Sequence, residues 1–563
     1  MEKHKKQLEN LDNILDKIND PNVRIAINLL FNIIEEQASE NQKLREENQK
    51  LRDENNILKG EQPKPDIKPN NKGRGGGNIS SEKERKGAAG ANGKKKRNRT
   101  SKKDKIKINI TKVCKVDKSS LPADAEFKGY ESVIVQDLKI STNNIEFKKE
   151  IYYSPSKNKV YRGGLPTGYT GEFGPNVKAL AIIMKYVCNT SEPKILEFFN
   201  NFNILISASS ISRMLTKKEN TSIFHKEKKL IFEAGLKSTN YQQIDDTGAR
   251  VNGKNYVSQV ICNELYTAFF TTKKKDRQTV LNVLQNFRKK KYLLGKEALR
   301  LLKLQTASKS IINAFTKIYQ NNGKEIEYSH EELKKLINFH NIHKRQKSKV
   351  LDALGIAYYH KQTKIQVPNI LICDDAPQFK LLTKERGLCW VHDGRNYKKL
   401  TPIVPRHITA VKEFLNKYWD YYEKLLEYKK NPQKAKMQEL SIEFNELFST
   451  VTEYKKLNKR IAKTLSDKKE LLLVLKYPNI PLHNNQAELG ARAQVRRRDI
   501  SLQTITAEGT KASDTFLTFV QTAKKLGVNT YDYIFDRVSK KFNLPSLAEI
   551  ITQRALEIKM AKI

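Results

Sequence analysis

Residues 241–287 read YQQIDDTGARVNGKNYVSQVICNELYTAFFTTKKKDRQTVLNVLQNF. Three runs rich in branched and aromatic residues, YQQIDD, YVSQVICNE and YTAFFTTKK, follow one another closely, and DRQTVLNVLQNF then changes to helical spacing. This order predicts an antiparallel meander followed by a helix. A charged helical stretch fills about 288–365, after which VPNILICDD (367–375) returns to a buried strand and GLCWVH (387–392) makes another. Residues 405–475 are helical again, and a loop, YPNIPLHNN (477–485), leads into the helix QAELGARAQVRRR (486–498). Strands with helices packed on them predict a multidomain α/β protein of large helical content.

Upstream, residues 1–60 predict an N-terminal helix and coiled coil. Heptad spacing over 20–60 puts Ile27, Ile34, Asn41, Asn48 and Asn55 at one seam position and Leu30, Gln37, Leu44, Leu51 and Leu58 at the other. Leu opposite Asn favours two parallel strands, because a buried Asn amide can pair across a two-fold seam. Residues 61–105 carry 15 Lys/Arg against 5 Asp/Glu and no aromatic residue. Such a segment cannot bury enough apolar surface to offset chain entropy, so a disordered basic linker is expected there. Alternation over 106–165 (IKINITKVCKV, YESVIVQDLKI, IEFKKEIYYS, KVYRGGLP) predicts a small β-rich module. Residues 166–236 are helical. Within them EPKILEFFNNF, a break at NILIS, and ASSISRMLTKK have the size of a helix-turn-helix, with Ile211, Met214 and Leu215 inward and Ser209, Ser210, Ser212 and Arg213 outward. An ordinary helical hairpin fits that pattern equally well. Residues 511–563 read as a C-terminal helical segment.

With 563 residues the chain has room for about three or four domains. Its 38% hydrophobic content excludes wholesale disorder. No apolar stretch follows MEKHKK and no apolar run reaches ~18 residues, so neither a signal peptide nor a membrane span is expected. Five cysteines, Cys114, Cys188, Cys262, Cys373 and Cys389, are scattered and form no CxxC pair, which fits a reducing cytoplasm rather than a disulfide framework. The net charge of +43 is the strongest compositional signal. A field of that sign attracts polyanions, and the abundant cytoplasmic polyanion is nucleic acid.

Three acids stand where acids are expensive unless used. Asp245 ends an apolar-flanked strand, Asp374 ends another, and Glu488 lies at the start of a helix. Three converging carboxylates make an oxygen cage suited to Mg²⁺, and two such ions about 4 Å apart can act on a phosphodiester. Each acid also has a plain reading: Asp245 and Asp246 as turn formers, Asp374 and Asp375 as helix caps, Glu488 as an ion-pair partner of Arg492.

Four ordered blocks carry a family resemblance. IDDTGARVNGKNY (244–256), CWVHDGRNYKKL (389–400), IPLHNNQAELGARA (480–493) and TAKKLGVNTYDYI (522–534) resemble the signature blocks of the IS66 family of bacterial insertion-sequence transposases. With the leading zipper, the similarity covers about 20–60 and 165–540. It implies a DDE transposase with a ribonuclease-H-like core over 237–510, interrupted by helical insertions at about 288–365 and 405–475. Carried onto this chain, the catalytic and metal-binding acids are Asp245, Asp374 and Glu488, with Asp375 a rival for the second place. Mg²⁺ is the implied cofactor, with Mn²⁺ able to substitute. Double-stranded DNA (transposon ends and target) is the implied partner, together with a second copy of the chain through the zipper and accessory proteins encoded with the element. Arg213, His392, Arg395, Arg492, Arg496, Arg497 and Arg498 are expected DNA contacts, His392 and Arg395 alternatively supporting the acids from behind.

The chain departs from the family pattern in two places. Relatives carry a cysteine zinc module after the zipper, whereas only Cys114 lies there, so no zinc is expected. Leu489 stands where Arg is usual after the glutamate. Two rival functions remain: a catalytically inactive DNA-binding protein derived from a transposase, and an aspartic protease suggested by Asp246-Thr247-Gly248-Ala249. The second needs another aspartate sharing one proton, and no second DTG occurs.

Overall fold

A computed structural model of the chain describes residues 2–58, 106–117, 121–122 and 125–561. The linker expected at 61–105 lies outside the described residues. Helix α1 (Glu2–Leu15) is followed by α2 (Pro21–Leu58), where Asp20 caps the helix start by accepting from Asn22 N at 2.8 Å. Ile27, Phe31 and Ile34 on α2 pack with Leu15 against Val404 of the same chain. Glu35 is buried beside them and accepts from Ile403 N and Val404 N at 2.7 and 2.9 Å. Two of the apolar seam positions expected to face a partner are therefore used within the chain, and Leu30, Leu44 and Leu51 stay exposed.

The β-rich module expected over 106–165 reduces to one hairpin, β1 (Ile151–Ser154) and β2 (Lys159–Arg162), antiparallel with Tyr152 opposite Tyr161. The described residues between 106 and 150 form no strand, and Phe127, Tyr130 and Val135 among them are exposed. Alternation alone does not make a sheet where no second layer covers the apolar face.

Helices α3 (Pro175–Tyr186), α4 (Glu192–Asn201), α5 (Ala208–Thr216) and α6 (Lys218–Ser238) follow. On α5, Ile211, Met214 and Leu215 face inward and Arg213 is exposed, as the spacing predicts. The meander comprises β3 (Tyr241–Val251), β4 (Lys254–Cys262) and β5 (Thr267–Thr272), followed by α7 (Arg277–Leu284). The region 288–365 is not purely helical. Strands β6 (Lys291–Leu294) and β7 (Ile326–Ser329) pair around α8 (Lys296–Leu304) and α9 (Lys309–Asn322), and α10 (His330–Phe339) and α11 (Lys344–Lys361) complete it. Strands β8 (Ile370–Cys373) and β9 (Glu385–Leu388) then join the main sheet. Its order is β5-β4-β3-β8-β9, antiparallel across the first three strands and parallel across the last two pairings.

The segment 390–476 forms α12 (Trp390–Lys398), α13 (Pro405–Lys430), α14 (Lys434–Phe448), α15 (Lys455–Ser466), α16 (Lys468–Leu471) and α17 (Leu473–Lys476). They enclose an aromatic core in which Trp390, Tyr418, Tyr421, Phe444 and Phe448 pack with Ile370 and Ile372 of the sheet. Helix α18 (Asn485–Ser501) crosses the sheet next, followed by α19 (Ala507–Leu526), α20 (Thr530–Val538) and α21 (Leu547–Met560).

The buried polar face of α19 has a purpose. Asp514, Thr518 and Thr522 accept from the backbone N–H groups of Thr271, Phe269 and Thr267, which the edge strand β5 would otherwise leave unpaired. Four residues of helix rise about 6 Å and two of strand about 6.6 Å, so one face of the helix keeps step with alternate N–H groups. The edge is thereby closed to further strands. One hydrophobic core runs from α3 through the sheet to α21, so residues 166–236 and 511–563 are not separate from the meander.

Candidate functional site

Asp245 lies inside β3, and Asp374 lies one residue past the end of β8, the strand beside it. β3 and β8 run parallel with Tyr241 beside Ile370 and Gln243 beside Ile372. Continued two residues further, that register sets Asp245 beside Asp374. At this end of the pairing the charge of Asp374 acts on Asp245. Across the antiparallel pairings Asp245 stands opposite Val260, and Val260 opposite Phe269.

Helix α18 lies over this row. A Cβ on Gly490 would come within 2.6 Å of Val260 Cγ1 and 3.1 Å of Thr267 Cγ2, so only glycine lets the helix approach this closely. Its first turn is fastened to β3: Asn484 Nδ2 donates to Ile244 O at 2.7 Å, and Gln486 N donates to Gln243 Oε1 at 3.2 Å. Glu488, one turn in, faces the acids. Burial first, and then the charges of Glu488, Asp374 and Asp246, push the Asp245 carboxyl up to about 7, against a bond from Asp246 N at 2.8 Å that favours the ionised form.

The neighbouring acids point elsewhere. Asp375 pairs with Lys463 at 3.0 Å, Arg386 at 3.1 Å and Lys380 at 3.5 Å; burial works against its ionisation, but these cations outweigh it and hold its carboxyl below the usual range. Asp374 instead acts on Asp245 and His392. Asp246 sits one residue out of phase, where Gln378 Nε2 donates to it at 3.0 Å and Lys275 lies at 3.5 Å.

Behind Glu488 stands α12. Arg395 Nη2 donates to Glu488 Oε2 at 3.1 Å and Arg395 Nη1 lies 3.3 Å from His392 Nε2. His392 Nδ1 and Glu488 Oε1 are 3.6 Å apart, and each is a buried atom without a hydrogen-bond partner. Burial holds His392 below the ordinary imidazole value. Cys389, the N-cap of α12, accepts from Asn484 N at 3.2 Å. Cys389, His392 and Glu488 each offer a ligand atom within 4.8 Å of the others, a grouping that includes neither Asp245 nor Asp374.

Along α18 the arginines diverge. Arg496 is exposed and Arg492 half-buried. Arg498 donates to Gly248 O of β3. Arg497, expected on DNA, is 6% exposed with its guanidinium 5.3 Å from the centre of the Tyr186 ring. This contact braces α18 against α3.

Residues 326–512 match the model of the transposase IS66 family. An uncharacterized protein, y4jO, of Sinorhizobium fredii (strain NBRC 101917 / NGR234) is 32% identical over 312 residues, 55% of this chain and 94% of that protein. The chain belongs to the IS66 transposase family. The matched stretch contains Asp374, His392, Arg395 and Glu488, whereas Asp245 precedes it. The β3–β8 pairing joins the strand carrying Asp245 to the strand that precedes Asp374. Sequence reading passed over Asn484, Gln243 and Gly490. Gly490 alone left a signal, an unexplained glycine inside a helix. No described helix is long and apolar enough to cross a membrane.

Proposed function

We propose that this chain is an active insertion-sequence transposase with a ribonuclease-H-like core, which cuts DNA at its element's ends and joins them to a target. The observation that supports the reading is the β3–β8 pairing with Glu488 of α18 nearby: the charges of Asp374 and Glu488 both bear on the half-buried Asp245 carboxyl. The strand order, three antiparallel then two parallel, is consistent with that core.

The donor set is all hard oxygen, which suits Mg²⁺ or Mn²⁺ rather than a soft ion. Asp245 fits the role because its half-buried charge lacks a cation, and Glu488 because Oε1 lacks a partner. Ions held by Asp245, Asp374 and Glu488 would supply charge stabilisation to the phosphodiester and acidify the attacking hydroxyl. The protein's own task is alignment. The sheet fixes Asp245 and Asp374, and Gly490 sets the depth of Glu488. Arg395, paired with Glu488 in the free protein, is placed to move onto a phosphate when the acids take cations.

Water attacks the phosphorus at the element end, the P–O3′ bond breaks, and a 3′-hydroxyl is left. That hydroxyl then attacks a target phosphodiester in line, forming one P–O bond and releasing the target's own 3′-hydroxyl. Positioning and charge stabilisation account for both steps. Arg213 on α5, and His392, Arg492, Arg496 and Arg498 near the acids, are the proposed DNA contacts. The deciding experiment incubates the protein with Mg²⁺ and DNA carrying the terminal repeats of its own locus. Glu488→Gln is expected to abolish cleavage while keeping end binding. Mg²⁺-dependent cleavage retained by that variant overturns the assignment, and wild type that binds ends but never cleaves them supports the inactive DNA-binding alternative.

A further inference from the structure

We propose that Cys389, His392 and Glu488 form a second cation site, for Zn²⁺ or a chemically similar soft ion, whose occupancy withdraws Glu488 from Asp245 and Asp374 and switches the centre off. The switching part rests on the function proposed above; the binding part does not.

The donor chemistry separates this site from its neighbour. A thiol, an imidazole and a carboxylate are a ligand set for zinc and poor for Mg²⁺, which keeps oxygen ligands. Spacing agrees. Two nitrogen or oxygen ligands about 2.0–2.2 Å from a tetrahedral ion stand about 3.4 Å apart, and His392 Nδ1 lies 3.6 Å from Glu488 Oε1. All three ligand atoms already lie within 4.8 Å of one another. Cys389 and His392 are three residues apart at the start of α12, which brings them to one side of its first turn.

One further observation points to a ligand. His392 Nδ1 and Glu488 Oε1 are buried, face each other, and lack hydrogen-bond partners, a costly arrangement that a shared cation relieves. Cys389 stands at a helix N-terminus and accepts a backbone N–H from Asn484, but burial outweighs these and pushes its thiol up to about 12, so the ion has to displace the thiol proton. Three protein ligands leave a fourth position for solvent. Arg395 is the group the ion must displace, since its guanidinium bonds Glu488 Oε2 at 3.1 Å and lies 3.3 Å from His392 Nε2. Coordination through Nδ1 leaves the ring proton on Nε2, so Arg395 has to leave that nitrogen as well.

The test uses the full chain, freed of metal and titrated with Co²⁺ without DNA. One equivalent is expected to give a thiolate-to-cobalt charge-transfer band in the near ultraviolet. Cys389→Ser is expected to lose the band, His392→Ala to bind about 10- to 100-fold more weakly, and Arg395→Ala to bind more tightly than wild type. Absence of the band in wild type, its persistence in Cys389→Ser, or unchanged affinity in His392→Ala overturns the site. His392 is half-buried, so that arm stands even if the cysteine variant folds poorly. In a separate assay with Mg²⁺ and end DNA, Zn²⁺ is expected to inhibit wild type at least tenfold and to spare Cys389→Ser. Co²⁺ binding without zinc inhibition overturns the switch and leaves the site. Absence of any Mg²⁺ cleavage overturns the proposed function and leaves the binding result to stand alone.

Discussion

Asp245 is half-buried on a strand with three further carboxylates bearing on it and no described cation to offset them, so its charge opposes folding in the metal-free protein. Asp245→Asn keeps the shape and removes the charge. In chelator at pH 8 this variant is expected to be more stable than wild type by about 1–3 kcal/mol, read as a higher unfolding midpoint. Mg²⁺ is expected to raise the midpoint of wild type and not of the variant. A variant less stable than wild type in chelator would mean that Asp245 is held by partners rather than strained by them. Asp375 contrasts with it. Its removal leaves Lys463, Arg386 and Lys380 facing one another, so Asp375→Asn is expected to lower the midpoint yet keep cleavage within about tenfold, whereas Asp374→Asn abolishes cleavage. In the sequence the two acids are adjacent and indistinguishable. Only the register that puts Asp374 beside Asp245, and the cations gathered around Asp375, separate them.

Elements were legible where local pattern and tertiary partner agreed. The meander, the strand around 370 and the inward face of α5 follow from spacing because each apolar stripe finds a layer to cover it. The described residues of 106–150 have no such layer, and spacing cannot report that. The strand expected over 387–392 ends at Leu388 with Trp390 onward helical, and Asp245, expected at a strand end, lies inside β3. The heptad of α2 was legible as a helix, but Glu35 and Phe31 bury against Val404 and His407, a contact nearly 370 residues away along the chain. Helix α6 carries a pH dependence. His225 Nδ1 lies 2.8 Å from Thr515 Oγ1 of α19, and burial first, then Lys511, Lys228 and Lys229, press the imidazole down to about 4. A folded value below the unfolded one, ~6.5, means the unfolded chain binds the extra proton between the two. Stability is therefore expected to fall as pH drops from about 6.5 to 4. His225→Gln should flatten this part of a melting-temperature profile; an unchanged slope would assign the acid sensitivity to other groups.

At the scale of the whole molecule, the two ends of α2 have different tasks. Its first half is anchored, with α1, to the helical segment around α13: Arg406 pairs with Asp12 of α1, with Asp16 just after it and with Glu453, and Asn32 of α2 bonds Glu453 O and Lys455 N at 2.9 Å. Its second half projects Leu44 and Leu51 into solvent one heptad apart, with Asn48 between them. A leucine seam that no described residue covers, on a helix bonded through its first half to the body carrying the acids, is a geometry suited to holding two copies at a set separation. Charge supports the same arrangement: at +43 each copy repels another, so pairing needs a local apolar seam, and a polyanion bound between the copies relieves the repulsion. Leu44→Glu with Leu51→Glu is therefore expected to convert a dimer into a monomer in analytical ultracentrifugation. The anchored half, and with it the melting temperature, should stay unchanged. Because each copy carries its own Asp245, Asp374 and Glu488, the monomer should still nick a single end in Mg²⁺, while joining of paired ends should fall at least tenfold. Wild type that sediments as a monomer, or a double variant that joins paired ends at the wild-type rate, removes the seam from the mechanism.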